Sequence, residues 1–190
     1  KKDPSYINEN TRNEFIAKNK LRFLRPYQLN ALKAIQQSAK NGNDRFLLEM
    51  ATGTGKTTTA AAIIKMFVRL FKVNRVLFLV DRLELETQAK KEINDILKND
   101  FETTIWKENK DDWRRAKVVI STVQSFTRHN KYKKIFKPNS FDLVISDEAH
   151  RSLGASSRNV FEYFIGFKLG LTATPRDFLK SVNEDDMSMT

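Results

Sequence analysis

The chain is predicted to be an α/β domain whose mostly parallel sheet is covered by helices on both faces. Three observations carry that prediction. Apolar runs of strand length alternate with amphipathic helical patterns from Phe46 to Thr172, the rhythm of repeated β–α units. Several runs, such as Val76 to Val80 within Arg75 to Val80 and Leu143 to Ile145 within Phe141 to Ser146, are apolar at successive positions, as strands buried on both faces require. Finally, the apolar run Phe46 to Met50 meets a glycine-containing turn and then a strong helix pattern. A strand, a tight loop and a helix N-terminus in that order can cradle a phosphate.

Taken in order, residues Lys1 to Leu24 are polar and weakly patterned, a lead-in with one or two helical turns in which Phe15 and Ile16 are available to pack on the domain. Arg25-Pro26-Tyr27-Gln28 puts Pro at a first helical position, and Leu29, Leu32, Ala34 and Ile35 continue the helix to its stop at Asn41-Gly42. Phe46 to Met50 reads as a strand and Lys56 to about Phe71 as a helix. Arg75 to Val80 is a strand and Leu83 to Leu97 a second amphipathic helix. A further strand is expected within Phe101 to Trp106. Val118 to Thr122 is a strand, followed by a short helix from Val123 to about His129. Phe141 to Asp147 is a strand, Val160 to Phe164 lies in a helix, and Phe167 to Thr172 is the last strand. The domain spans residues 25–180, and Ser181 to Thr190 is a polar tail.

With 190 residues, 40% hydrophobic content and fourteen Phe, the chain can bury a sizeable core. It contains no Cys, which excludes disulfides and thiolate metal sites and suits a reducing cytoplasm. No apolar run approaches the roughly 18 residues of a membrane span, so no membrane partner is expected. The net charge of +11 calls for a polyanionic partner instead. Cations concentrate between Lys107 and Lys137, opposed there only by Glu108, Asp111 and Asp112.

In open parallel sheets, ligands gather at the carboxyl ends of the strands. Polar groups stand at those ends here: Gly53 to Thr57, Asp81-Arg82, Ser121-Thr122, Asp147-Glu148 and Thr172-Ala173-Thr174. Thr52, Gly53, Thr54, Gly55, Lys56, Thr57 and Thr58 form the candidate cradle, with Lys56 reaching the outer phosphates and the Thr57 hydroxyl a Mg²⁺ ligand. Met50 departs from the general P-loop pattern, which has Gly at that position. Two adjacent carboxylates ending a buried strand are costly unless a cation or a reaction uses them. Beside a phosphate loop, Asp147 can hold Mg²⁺ and Glu148 can take the proton of a water attacking the γ-phosphate. Trp106 and Trp113 flank the basic segment; core packing is the favoured reading over stacking on bases.

Together these motifs resemble the first RecA-like lobe of a superfamily 2 helicase or translocase, a P-loop NTPase fold. Gln28 matches that superfamily's adenine-reading Q motif, Met50 to Thr57 its motif I, Asp147 to His150 its motif II, and Leu171 to Pro175 its motif III. Arg25-Pro26-Tyr27-Gln28, Leu79-Val80-Asp81-Arg82 with Leu85 and Gln88, Asp147 to Ser152, and Gly170 to Arg176 are similar to the motor of restriction-enzyme R subunits. Type I enzymes fit best, with type III enzymes, other DEAH-type helicases of DNA or RNA, and a nucleotide-gated binding module as alternatives. Met50 is expected in this branch.

The resemblance implies ATP and Mg²⁺ as ligands and translocation along double-stranded DNA as output. It implies backbone contacts through Arg82, Ser121, Thr122 and Gln124, and coupling of the nucleotide site to DNA through His150, Thr172 and Thr174. It also implies methyltransferase and specificity subunits as partners. A nuclease domain would precede Lys1, and a second RecA-like lobe would follow the tail. That lobe would supply an arginine finger worth about 10³–10⁵ in rate, so this lobe alone is expected to turn over ATP very slowly.

Overall fold

The computed structural model describes residues 24–97, 101–107, 112–147 and 155–173. Among them, six strands form one sheet, all parallel. The elements in chain order are α1 (Pro26–Lys40), β1 (Arg45–Glu49), α2 (Lys56–Leu70), β2 (Val76–Val80), α3 (Leu83–Leu97) and β3 (Thr103–Ile105). They continue with β4 (Val118–Thr122), α4 (Val123–Thr127), α5 (Lys131–Ile135), β5 (Leu143–Ser146), α6 (Ala155–Tyr163) and β6 (Phe167–Thr172). Spatially the strands run β1-β6-β5-β2-β4-β3. The first and last strands therefore lie side by side, with Glu49 opposite Thr172.

Two apolar layers sandwich this sheet, as the continuous runs of β2, β4 and β5 demand. Successive side chains of a strand point to opposite faces. Val76, Phe78 and Val80 accordingly join Ile63, Ile64 and Phe67 of α2 and Ile93 and Leu97 of α3 in one layer. Leu77 and Leu79 join Phe126, Tyr132, Phe136, Val160 and Phe164 in the other. The helix α2 forms because Ala60, Ile63, Ile64 and Phe67 share one buried stripe. Burying a side chain such as Phe67 stabilises the fold by about 1.5–3 kcal/mol. Trp106 and Trp113 lie 5.0 Å apart, ring centre to ring centre, and pack on Phe136. That is the packing reading of both indoles.

Three features differ from expectation. β1 is the edge of the described sheet: Phe46 and Leu48 turn inward, while Arg45, Leu47 and Glu49 stay exposed. Its apolar run is thus buried on one face only. The short helix after β4 ends at Thr127, and a 3₁₀ turn, Arg128–Asn130, leads into the unforeseen helix α5. His129 and Asn130 both adopt the left-handed conformation there, which breaks the helical path and hid α5 from a periodicity argument. Finally, α6 begins as early as Ala155.

Asp142 ties the amino ends of three strands together. Its Oδ2 accepts from the backbone N–H of Asn74 and Arg75 at 2.8 and 3.0 Å. Its own N–H donates to the Arg75 carbonyl, and its carbonyl accepts from Phe167 N–H. Beside it the Arg75 guanidinium lies 5.0 Å from the Phe141 ring centre and donates to the Trp113 carbonyl. Burial in this aromatic setting lowers its affinity for its proton.

Lys168 is a buried cation, only 5% exposed, whose ammonium donates to the Gly166 carbonyl at 3.1 Å. Desolvation, then the charge of Arg45, pushes its pKa below the ordinary lysine value, against Asp44 and Glu162. Between the lowered folded value and the unfolded one, the unfolded chain binds more protons. Stability should therefore rise with pH as it passes upward through the folded value. Lys168→Met is expected to raise the melting temperature at neutral pH and to flatten that alkaline rise. Thermal denaturation across a neutral-to-alkaline series checks both.

Candidate functional site

The site lies at the carboxyl edge of β1, β6 and β5. The chain leaves β1 through Met50, which is buried and whose N–H donates to the Thr172 carbonyl at 2.8 Å. Met50 thus extends the strand pairing by one residue and seals the end of the sheet. This is the physical role of the side chain where the general phosphate-loop pattern has Gly. The loop then turns tightly. Thr54 Oγ1 donates to the Ala51 carbonyl at 2.6 Å, and Gly53 and Gly55 take left-handed angles of +74° and +81°.

Gly55 is the N-cap of α2 and offers no side-chain cap. The first helical hydrogen bond of α2 runs from Thr59 N–H to the Gly55 carbonyl. The N–H groups of Lys56, Thr57 and Thr58 consequently have no acceptor within the helix. An anion placed there meets three N–H donors, the positive end of the helix dipole and the Lys56 side chain. A side chain on Gly53 would have met open space, whereas a Cβ on Gly55 would lie 2.9 Å from Gln28 Nε2. The donor set and the bare glycine backbone fit a polyphosphate.

Helix α1 clasps this loop from outside. Tyr27 donates its hydroxyl proton to the Thr54 carbonyl at 2.8 Å. Gln28 is buried; its Nε2 lies 3.3 Å from the Thr54 carbonyl and 3.4 Å from that of Gly55. Its Oε1 accepts from Arg25 N–H at 2.8 Å while Gln28 N–H donates to the Arg25 carbonyl, tying down the start of α1. Gln28 therefore stands against the phosphate loop, with both ends of its amide engaged. Thr52 is exposed and Thr57 and Thr58 are half-buried.

Across β6, strand β5 ends at Ser146 and delivers Asp147, whose N–H donates to the Leu79 carbonyl at 2.8 Å. Neighbouring strands are about 4.8 Å apart, so β5 runs roughly 10 Å from β1 on the same edge of the sheet. Thr57 and Asp147 offer oxygen donors suited to Mg²⁺. Glu148, His150 and Thr174 lie outside the described residues. Thr172 is buried at the end of β6, its carbonyl held by Met50.

The remaining strand ends divide into exposed and buried groups. Arg82 and Gln124 are exposed, and Arg82 Nε lies 3.6 Å from Asp81 Oδ2. Ser121 is buried, with its hydroxyl donating to the Thr122 carbonyl. Thr122 is buried as the N-cap of α4, its Oγ1 accepting from Ser125 N–H at 3.1 Å. Thr122 N–H in turn donates to Glu86 Oε1 at 2.6 Å. Motif and charge patterns along the sequence do not single out Glu86. Helical phase carries the signal, because Glu86 shares the buried stripe of Ala89, Ile93 and Leu97. Of the basic segment, Lys107, Arg114, Arg115, Arg128, Lys131, Lys133, Lys134 and Lys137 are exposed.

An all-parallel sheet with a glycine loop after its first strand and an aspartate after the strand two places away on the same edge defines a RecA-like nucleotide-binding lobe of the superfamily 2 helicase type. Within that class, the chain belongs to the family described as "Type III restriction enzyme, res subunit", which matches residues 22–177. It is 35% identical over 164 residues to the type I restriction enzyme EcoAI endonuclease subunit of Escherichia coli, covering 80% of this chain and 19% of that subunit. The EcoKI endonuclease subunit of the same species is 30% identical over 177 residues, covering 80% of this chain and 15% of that one. The chain thus spans less than a fifth of the length of these two relatives.

Among solved structures, the type ISP restriction-modification enzyme LlaGI, as a nuclease-deletion mutant in complex with a DNA substrate mimic, matches with a TM-score of 0.65 and 27% identity. The match covers 81% of this chain and 18% of that one. The Sulfolobus solfataricus SWI2/SNF2 ATPase core shares the fold, with a TM-score of 0.67 at 17% identity over 81% of this chain and 32% of that one.

Proposed function

We propose that this chain is the ATP-binding first lobe of a motor that hydrolyses ATP to translocate along double-stranded DNA, within the restriction subunit of a type I restriction-modification enzyme. The observation that carries the proposal is the N-terminus of α2, which has no side-chain cap, with Gly55 left-handed and Asp147 following β5 on the same sheet edge. The first-turn N–H groups and Lys56 bind the β- and γ-phosphates. Thr57 and Asp147 would hold a Mg²⁺ ion, which would supply positive charge to the phosphates. Glu148 accepts the proton of a water whose oxygen attacks the γ-phosphorus, and the bond to the β-phosphate oxygen breaks as ADP leaves. Gln28 and Tyr27 link the α1 side of the pocket to the loop, on the side where an adenine would bind.

Arg82 and Gln124 are the contacts to the DNA backbone, and Ser121 and Thr122 shape the turn that presents Gln124. Thr172, with His150 and Thr174, passes the phosphate state to these contacts. Such contacts read phosphates and not bases, which suits a motor that tracks along any sequence. In the whole protein, a second RecA-like lobe supplies an arginine finger, a nuclease domain cuts, and methyltransferase and specificity subunits dock.

The test is ATPase activity of the protein carrying this lobe, titrated with duplex DNA and with RNA. Stimulation by duplex DNA is expected, and stimulation by RNA alone would overturn the reading. Arg82→Ala should weaken duplex binding equally on unrelated sequences and lower the log–log salt slope by about 0.9, as expected when one phosphate is no longer neutralised. A weakening confined to one sequence contradicts the assignment.

A further inference from the structure

Glu86 is a buried acidic group for which the nucleotide site has no use. It is 6% exposed, at the end of the first turn of α3. An ionised carboxylate in such a place is costly unless charge-assisted hydrogen bonds hold it. The bond to Thr122 N–H, at 2.6 Å, is of that kind, and the nearby helix N-terminus favours negative charge.

Strand geometry explains why the bond is there. β3 ends at Ile105, and Trp106 N–H donates to the Ile120 carbonyl on that side of β4. Backbone groups alternate sides along a strand. Thr122 N–H therefore faces the same way as the Ile120 carbonyl, but beyond the end of β3. A buried N–H left there without a strand partner is unfavourable, and Glu86 supplies the acceptor. Thr122 is also the residue whose hydroxyl starts α4. One carboxylate thus joins the start of α3, directly after Asp81-Arg82, to the start of α4, which carries Gln124.

We infer that Glu86 is a positioning residue that locks the Arg82 loop to the Gln124 turn, so that the two meet the phosphate backbone of duplex DNA at a set spacing. The inference rests on the duplex-DNA reading above. The pairing of Val80 with Thr122 keeps the two strand ends side by side without the lock, but the turns beyond them, which carry Arg82 and Gln124, are no longer held to one another. Two groups that must each be ordered on binding give less affinity than two held in register beforehand.

The experiment compares Glu86→Ala and Glu86→Gln in the full chain. The amide oxygen of Gln still accepts from Thr122 N–H, whereas Ala cannot. Affinity for a fluorescein-labelled duplex of mixed sequence is read by anisotropy over a salt series. Affinity for a fluorescent, non-hydrolysable ATP analogue with Mg²⁺ and the melting temperature are read alongside. Glu86→Ala is expected to weaken duplex binding about tenfold and to flatten the salt slope by about 0.9 for each phosphate the protein no longer neutralises. Nucleotide affinity should stay unchanged, and Glu86→Gln should recover most of the duplex affinity. If the Ala variant does not fold, Glu86→Asp carries the same expectation, because it keeps the charge but withdraws the acceptor by one methylene.

A parallel fall in duplex and nucleotide affinity would reduce Glu86 to a structural carboxylate and overturn the inference. So would a Gln variant no better than Ala, or an Ala variant that binds like the wild type. A wild-type chain that ignores duplex DNA or prefers RNA removes the underlying DNA reading itself, a different failure from an unaffected Glu86→Ala.

Discussion

Lys56→Ala is expected to weaken binding of ATP by about 100-fold or more. The side chain leaves the first helical residue after Gly55, beside N–H groups that have no acceptor within α2. Its ammonium is the positive charge proposed to meet the outer phosphates. Removing one partner of a desolvated, hydrogen-bonded charge pair costs about 2–5 kcal/mol, and roughly 2.7 kcal/mol is already 100-fold. Glu148→Gln should behave differently. It keeps the shape of the site and its nucleotide affinity but cannot accept the proton of the attacking water, so hydrolysis should fall by about 10²–10⁴. Equilibrium binding of a fluorescent nucleotide and single-turnover hydrolysis in the protein carrying this lobe separate the two effects. Unchanged binding in the Lys56 variant, or unchanged hydrolysis in the Glu148 variant, refutes the corresponding role.

The second large effect is on stability and lies at the opposite end of the sheet. Gly166 precedes β6 and passes directly over the backbone of Asp142, so that an added Cβ would lie 2.7 Å from the Asp142 Cα and closer still to its carbonyl group. Those atoms cannot move aside, because the carbonyl accepts from Phe167 N–H and the Asp142 carboxylate holds Asn74 and Arg75. Gly166→Ala must therefore push β6 away from β5 or distort the tie that joins three strands. Overpacking of this kind costs about 1–3 kcal/mol and at times more. In a domain of this size 3 kcal/mol corresponds to a fall in melting temperature of roughly 6–12 °C. A melting temperature equal to that of the wild type would show that the close approach is not maintained in solution.

Much of the architecture was legible because it is written in local periodicity. The runs at β2, β4 and β5 announce strands buried on both faces, and α3 was bounded from Leu83 to Leu97 by its apolar stripe. The glycine loop was legible because Gly at those positions answers a local need, left-handed angles followed by a helix start. The short helix α5 was not, since His129 and Asn130 adopt conformations that periodicity does not register.

By itself the sequence determined the glycine turn before α2 and the aspartate that follows β5, because backbone angles and helix starts depend on near neighbours. Only the tertiary structure decided which strand ends stand together. It placed Thr172 beside Met50 and let Tyr27 and Gln28 close on the loop. It left Arg82 exposed while burying Ser121 and Thr122, and it gave Glu86 a backbone partner 36 residues away. The reason is physical: strand order and the point where β3 stops follow from how all the apolar faces pack at once. No local window contains that information.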